Sequence, residues 1–185
     1  MDHSTSHRPR TSHQALSTIY IGLLPSSPIG LLWIAVSEQG LMMVDWSMPQ
    51  ADFSQQVGRR FNADVVYDES HTAEALHQLS EYLAGNRQQF TLPLDLPGMT
   101  QFQLQVLRLT IQIPYGQTST YKAIAVQVGK VHAARAVGRV EATNPIPLVI
   151  PCHRVLGSDG SLHGYGGPGG IKLKAWLLKL EKSLI

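Results

Sequence analysis

Cysteine is all but absent: Cys152 is the only one among 185 residues. A lone cysteine cannot close an internal disulfide, and it excludes a structural zinc site built on several thiolates. Long apolar runs are missing too, so no stretch is long enough to span a bilayer as a helix. Residues 1–10 lack the apolar centre of a signal peptide. These absences lead us to expect a protein of the reducing cytoplasm with no membrane contact. There is no phosphate-loop Lys-Ser/Thr pair, the glycines do not form a dinucleotide fingerprint after a strand, and there are no internal repeats. His3, His7 and His13 read as part of a polar, disordered tail over residues 1–16 rather than as a metal site. No metal or other cofactor is expected.

Charge of either sign is sparse but unevenly placed. Residues 1–97 carry 5 Lys and Arg against 10 Asp and Glu, a net charge of −5, whereas residues 98–185 carry 10 against 3, a net +7. A basic half beside an acidic one suggests that one face meets a polyanion. Apolar alternation and turn residues predict strands at 19–24, 31–36, 41–46 and 65–67, with helices at 53–61 and 72–84. Residues 17–90 therefore form a small α/β sheet domain, in which we find no catalytic cluster and expect a structural role. Pro93, Pro97 and Gly98 mark residues 91–98 as a linker. The second domain, 99–185, opens with a capping box at Thr100 and Gln103, on a helix to about residue 111 burying Phe102, Val106 and Leu109. Helices at 121–128 and 132–142, separated by Gly129, give a helix-turn-helix pattern. Ala133, Ala136, Val137 and Val140 face inward on the second, while Arg135, Gly138, Arg139 and Ala142 face outward. Small residues and arginines on an outer face suit close approach to nucleic acid. A glycine-rich loop over 157–170 precedes a last helix at 172–183, which buries Leu173, Trp176, Leu177 and Leu180 and leaves Lys174, Leu178 and Glu181 at its edge.

Chemistry concentrates around the cysteine. A nucleophile and a candidate base, Cys152 and His153, are adjacent at the end of the apolar run 147–150, behind Pro151. Proline fixes its own φ and pins the chain there. The thiolate is the reactive form, and a histidine or its bound water can take the thiol proton. Taken alone, a single cysteine is as readily a small buried hydrophobe.

The flanking residues extend the pattern. Residues 144–155 read NPIPLVIPCHRV, preceded by Phe102-Gln103, Ile113-Pro114-Tyr115-Gly116, Thr120-Tyr121 and Ala134-Arg135-Ala136-Val137-Gly138. They are followed by Gly164-Tyr165-Gly166-Gly167, Lys174-Ala175-Trp176-Leu177-Leu178 and Glu181. In order and spacing, residues 98–182 resemble the O6-alkylguanine-DNA alkyltransferases, with a looser fit at Ser27-Pro28-Ile29-Gly30 and Gly40-Leu41. The resemblance implies an α+β protein: a ribonuclease H-like N-terminal sheet domain and a mainly helical C-terminal domain with a winged-helix-like helix-turn-helix. It implies a monomeric, single-turnover repair enzyme that moves an alkyl group irreversibly from O6-alkylguanine, and less so from O4-alkylthymine, in double-stranded DNA to Cys152. The nucleotide must first rotate out of the duplex. By the resemblance the second helix of the pair docks in the minor groove through Ala134 and Gly138, and Arg135 takes the place of the flipped base; Arg139, on the same face, is expected to add a phosphate contact of this chain's own. Tyr121 presses on the flipping phosphate and donates to guanine N3. Glu181 orients His153, which acts on Cys152 through water, and Asn144 holds the turn before the active strand. Tyr165 walls the pocket, the carbonyls of Cys152 and Val155 accept the guanine amine, the Gly166 amide donates to O6, and Lys174 belongs to the substrate site.

The chain departs from the family pattern in places. Arg139, Val140 and Glu141 stand where small residues are usual; a carboxylate at Glu141 weakens DNA binding unless it points away. Arg108 replaces a frequent tryptophan, and the loop through Gly167-Pro168-Gly169-Gly170 is longer than usual. Competing readings are a non-catalytic protein that binds alkylated bases, a helix-turn-helix transcriptional regulator, and a thiol hydrolase. The first lacks the cysteine, the second has no need of Cys-His-Glu, and the third turns over.

Overall fold

A computed structural model describes residues 17–167 and 169–183. The tail expected at 1–16 lies outside the described residues. Strand β1 (Thr18–Leu24) pairs antiparallel with β2 (Leu32–Ser37), and β2 pairs antiparallel with β3 (Gly40–Trp46). After helix α1 (Gln50–Phe61), β4 (Asp64–Tyr67) returns parallel to β1, giving the order β3-β2-β1-β4. The predicted strands are found, each end within one residue of its expected place. Both helices begin three residues earlier than predicted. The cap of α2 (Glu69–Leu83) is Asp68, whose side chain accepts from the amides of Ser70 and His71. This cap lies upstream of the apolar pattern that periodicity detects.

The sheet is buried on both faces. Ile19, Ile21, Trp33 and Ala35 pack against Phe53 and Val57 of α1. On the opposite face, Leu32, Ile34 and Val44 join Leu79 and Tyr82 of α2 and the apolar residues of the second half in one cluster. Helix α2 crosses β1 at Gly22, where a Cβ would lie 2.2 Å from Thr72 Oγ1, so only glycine fits. Residues 91–98 run along the edge of β3. Leu41 N donates to Pro93 O, and Asp95 N donates to Leu41 O, both at 2.9 Å.

The second half is helical. Helix α3 (Gln101–Ile111) has the expected capping box at Thr100 and Gln103. It buries Val106, Leu107 and Thr110, while Phe102 and Leu109 are only partly covered, a correction to the expected face. Strand β5 (Ser119–Thr120) leads into α4 (Tyr121–Gln127), capped by Thr120 and followed by Gly129 at φ +73°. Helix α5 (Ala134–Ala142) packs on α4 and α3, completing the helix-turn-helix. Strand β6 (Val155–Leu156) pairs with β5, and α6 (Ile171–Leu180) packs against the turn that carries Cys152. On α6, Lys174 and Leu178 are fully buried and Trp176 and Leu180 only partly so; Glu181, just beyond, is buried as well. The expected edge is thus part of the interior. Apolar periodicity assigns charged residues to solvent, and here two of them are drawn in by polar partners. Among the described residues no helix is long and apolar enough to cross a membrane.

Candidate active site

Three prolines and one asparagine shape the approach to the cysteine. Asn144 Nδ2 donates to Ile150 O at 2.8 Å, and its Oδ1 accepts from Ile146 N at 3.0 Å, closing a loop over residues 144–150. Leu148, in that loop, is held at φ +74°, a left-handed conformation that costs a non-glycine residue about 1 kcal/mol or more. Cys152 opens a single 3-10 turn, Cys152–Arg154, rather than lying on a strand as expected. The turn ends at β6, whose pairing of Val155 with Ser119 and Leu156 with Thr120 brings the start of α4 alongside.

The turn places His153 and Arg154 around the carboxylate of Glu181, which follows α6. Glu181 Oε1 accepts from His153 Nε2 at 2.9 Å, Arg154 Nη2 at 2.8 Å and Tyr82 Oη at 2.6 Å. Its Oε2 accepts from Arg154 Nε at 2.9 Å and from the Gly116 amide at 3.4 Å. Burial works to raise this carboxyl, but the bonds and charges of His153 and Arg154 outweigh it and bring it down to about 2. His153 is fully buried, which lowers its pKa despite the pull of Glu181. The ring is therefore neutral near pH 7. Donation from Nε2 to Glu181 fixes the proton there and leaves Nδ1 as the basic nitrogen; Nδ1 is buried and has no hydrogen-bond partner among the described residues.

Cys152 is 6% exposed. Burial, and next the charge of Glu141, push its thiol up to about 12, against the pull of Asn144 and Lys174. A free cysteine's few per cent of thiolate is thus not available at rest, and ionisation has to accompany the reaction. Lys174 Nζ donates to Val155 O at 2.6 Å and to Tyr121 Oη at 3.4 Å. Desolvation lowers Lys174 to about 8, while burial, then Glu141, raise Tyr121 to about 12. The Val155 carbonyl expected to accept a base amine thus already holds Lys174, with one lone pair left.

Two cavities meet at this point. One, of about 350 Å³, is lined by Cys152, Asn144, Glu141, Tyr165, Gly166 and Gly167, and from the sheet side by residues 43–46, Gln56 and Arg60. The other, an outer groove of about 630 Å³, is lined by Tyr121, Lys122, Ala134, Arg135, Gly138 and the loop residues Gly157, Ser158 and His163. Ala142, Tyr165 and Gly166 belong to both. Arg135 and Arg139 are exposed on α5. Tyr165 stacks on Trp46, with ring centroids 6.5 Å apart. Gly167 has no room for a Cβ, which would lie 2.4 Å from Trp46 Cζ2.

Three groups at the centre of this site were not legible as such. Tyr82 brings a hydroxyl from α2, so the sheet half supplies part of the network and its expected purely structural role is corrected. A tyrosine on the apolar face of a helix was its only signal. Arg154 follows His153 directly and joins the same carboxylate. Glu141, whose carboxylate the sequence left either near DNA or pointing away from it, is 6% exposed and faces inward, with its Oε1 2.5 Å from Thr110 Oγ1. It comes one helical turn after Val137, on the buried side.

Comparisons with known proteins cover nearly the whole chain. Residues 19–96 match the family model of the 6-O-methylguanine DNA methyltransferase ribonuclease-like domain, and residues 101–183 match that of the DNA binding domain of the same methyltransferases. A methylated-DNA–protein-cysteine methyltransferase of Methanosarcina barkeri is 42% identical over 157 residues, 85% of this chain and 94% of that protein. An inducible methylated-DNA–protein-cysteine methyltransferase of Bacillus subtilis is 39% identical over 152 residues, 81% of this chain and 83% of that protein. Among solved structures, Mycobacterium tuberculosis OGT in complex with DNA superposes with a TM-score of 0.72 at 38% identity, covering 90% of this chain and 93% of that one.

Proposed function

Since the chain belongs to the 6-O-methylguanine-DNA methyltransferase family and so repairs DNA by moving an alkyl group onto a cysteine of its own, we propose that Cys152 is the acceptor and that the site works as follows. Duplex DNA meets the outer groove, with α5 against the minor groove and Arg139 at a phosphate. A guanine alkylated at O6 leaves the stack, Arg135 fills the gap, and the base passes between Tyr121 and the loop of Tyr165 and Gly166 into the inner cavity. His153 Nδ1 takes the thiol proton through a water molecule. The sulfur forms a bond to the alkyl carbon, the carbon–O6 bond breaks, and its electron pair goes to the base. Glu181 stays ionised, keeps the Nε2 tautomer and balances the imidazolium that forms. The thioether does not revert, so one protein repairs one lesion. It acts as a monomer in the cytoplasm.

One observation carries the assignment: the only cysteine of the sequence lines a cavity and is followed directly by a buried histidine whose Nδ1 has no partner among the described residues. A transcriptional regulator or a binding-only protein has no use for that arrangement. The test is to incubate the protein with an oligonucleotide containing O6-methylguanine and weigh it intact. A gain of a single methyl, located on the peptide of Cys152 and absent in Cys152→Ala, is expected. Repeated turnover, or a methyl elsewhere, would sink the reading.

A further inference from the structure

Glu141 is a buried acid that this mechanism does not use. It stands on the inner side of α5, lines the same cavity as Cys152, and is met by an element from each side. Thr110 contacts it from α3, and the charge of Glu141 is felt by Lys174 of α6, Tyr121 of α4 and Cys152 of the 3-10 turn. Asp45 and Arg60 are the other charged residues lining the cavity. Thr110 Oγ1 lies 2.5 Å from Oε1 and 3.0 Å from Val106 O, so its one proton serves one of them, and Oε1 has a partner whichever way that proton points. Oε2 is buried and has no hydrogen-bond partner among the described residues. A bare carboxylate there carries an uncompensated desolvation cost, so the carboxyl group holds its proton.

Resting on the assignment of Cys152 as acceptor, we infer that Glu141, which lines the cavity with it, is the general acid of the transfer, donating its carboxyl proton to the guanine as it leaves. The pair of electrons released from the carbon–O6 bond would otherwise leave an anionic base in a buried site. With the donation, guanine departs neutral. The thiol proton is on His153, whose imidazolium faces Glu181, and Glu141 ends as a carboxylate within the field of Lys174. Atoms and charge balance without any further reactant. Desolvation holds the carboxyl up at about 7, against the opposing pull of Thr110 and Lys174, so the acid is part-protonated at working pH and strong enough to give the proton up. The hydroxyls of Tyr121, raised to about 12, and of Tyr165, which lines the cavity and is pushed up by burial, are far weaker acids.

The experiment measures single-turnover rates across pH 5.5–8.5 for free O6-benzylguanine and for its 8-aza analogue, which leaves as a weaker base. Wild type should slow as pH rises through about 7. Glu141→Gln should lose that falling limb and react about 10²-fold more slowly with O6-benzylguanine at pH 6.5, with a smaller loss on the 8-aza compound. Thr110→Val keeps the carboxyl but removes a bond that pulls its pKa down, so the falling limb should move to higher pH. A limb caused by Lys174 would not move. A Glu141→Gln rate equal to wild type, an equal loss on both compounds, or a limb unmoved in Thr110→Val would overturn the inference. If wild type carries the benzyl group on Cys152 while Glu141→Gln is indistinguishable from it, only Glu141 falls. If wild type carries none on Cys152, the acceptor assignment falls with it.

Discussion

Cys152 and His153 are neighbours in sequence, but adjacency is not what makes them a pair. The 3-10 turn sends the His153 ring toward Glu181 and leaves Nδ1 as its free base. Since burial raises the thiol to about 12, the reaction depends on that base and not on a standing thiolate population. His153→Ala should therefore lower the single-turnover rate on O6-methylguanine DNA by about 10²-fold or more near pH 7, and push the active range toward alkaline pH. An unchanged pH profile would remove His153 from the chemistry. Tyr82→Phe takes one donor from Glu181 while four remain, so it should cost about 1 kcal/mol in urea unfolding and leave the acceptor chemistry in place. The Cys-His-Glu set was visible in the sequence because its members carry chemistry and keep a family spacing. Tyr82 and Glu141 were not, since a tyrosine among leucines and a glutamate beside an arginine read as packing and as solvent.

Helix α5 divides its labour between two sides. Its outer side exposes Arg135, which lines the groove, and Arg139, and its inner side brings Val137, Val140 and Glu141 to the core. On the proposed docking, Arg135→Ala should slow repair of duplex DNA far more than reaction with free O6-benzylguanine, which needs no flipping. Equal losses on both would place Arg135 in the pocket or in folding. Arg139→Ala should weaken binding to damaged and undamaged duplexes alike and flatten the slope of log affinity against log salt by about 0.9, the release from one phosphate. An unaltered slope would mean that this arginine meets no phosphate. The boundaries of such helices were readable where a cap or a glycine marks them, as at Thr100, Thr120 and Gly129. They were misplaced where the cap lies outside the apolar pattern, as at Asp68.

The two halves share one core and one cavity, and their buried acids set the pH range of the fold. Glu181, depressed from 4.5 to about 2, contributes stability that is fully present above pH 4.5 and is lost as pH falls through about 2. Glu141, raised from 4.5 to about 7, acts oppositely: the fold binds its proton more tightly than the unfolded chain does, so stability declines as pH rises from 4.5 through about 7. Each shift amounts to about 3 kcal/mol at most. In urea unfolding, Glu141→Gln should gain stability relative to wild type as pH rises from 4.5 through about 7; a difference that does not change with pH would contradict the buried acid. The sequence by itself determined the order of β1 to β4 and of the six helices, the helix-turn-helix, the acceptor cysteine with its histidine, and the family, because these rest on periodicity, turn residues and short motifs that are local along the chain. Only the tertiary structure decided that Tyr82 of α2 joins His153 and Glu181, that Lys174 lies inside, and that Glu141 faces Cys152. Those placements depend on which surfaces pack together, and a buried charge is tolerated only where distant segments supply its partners.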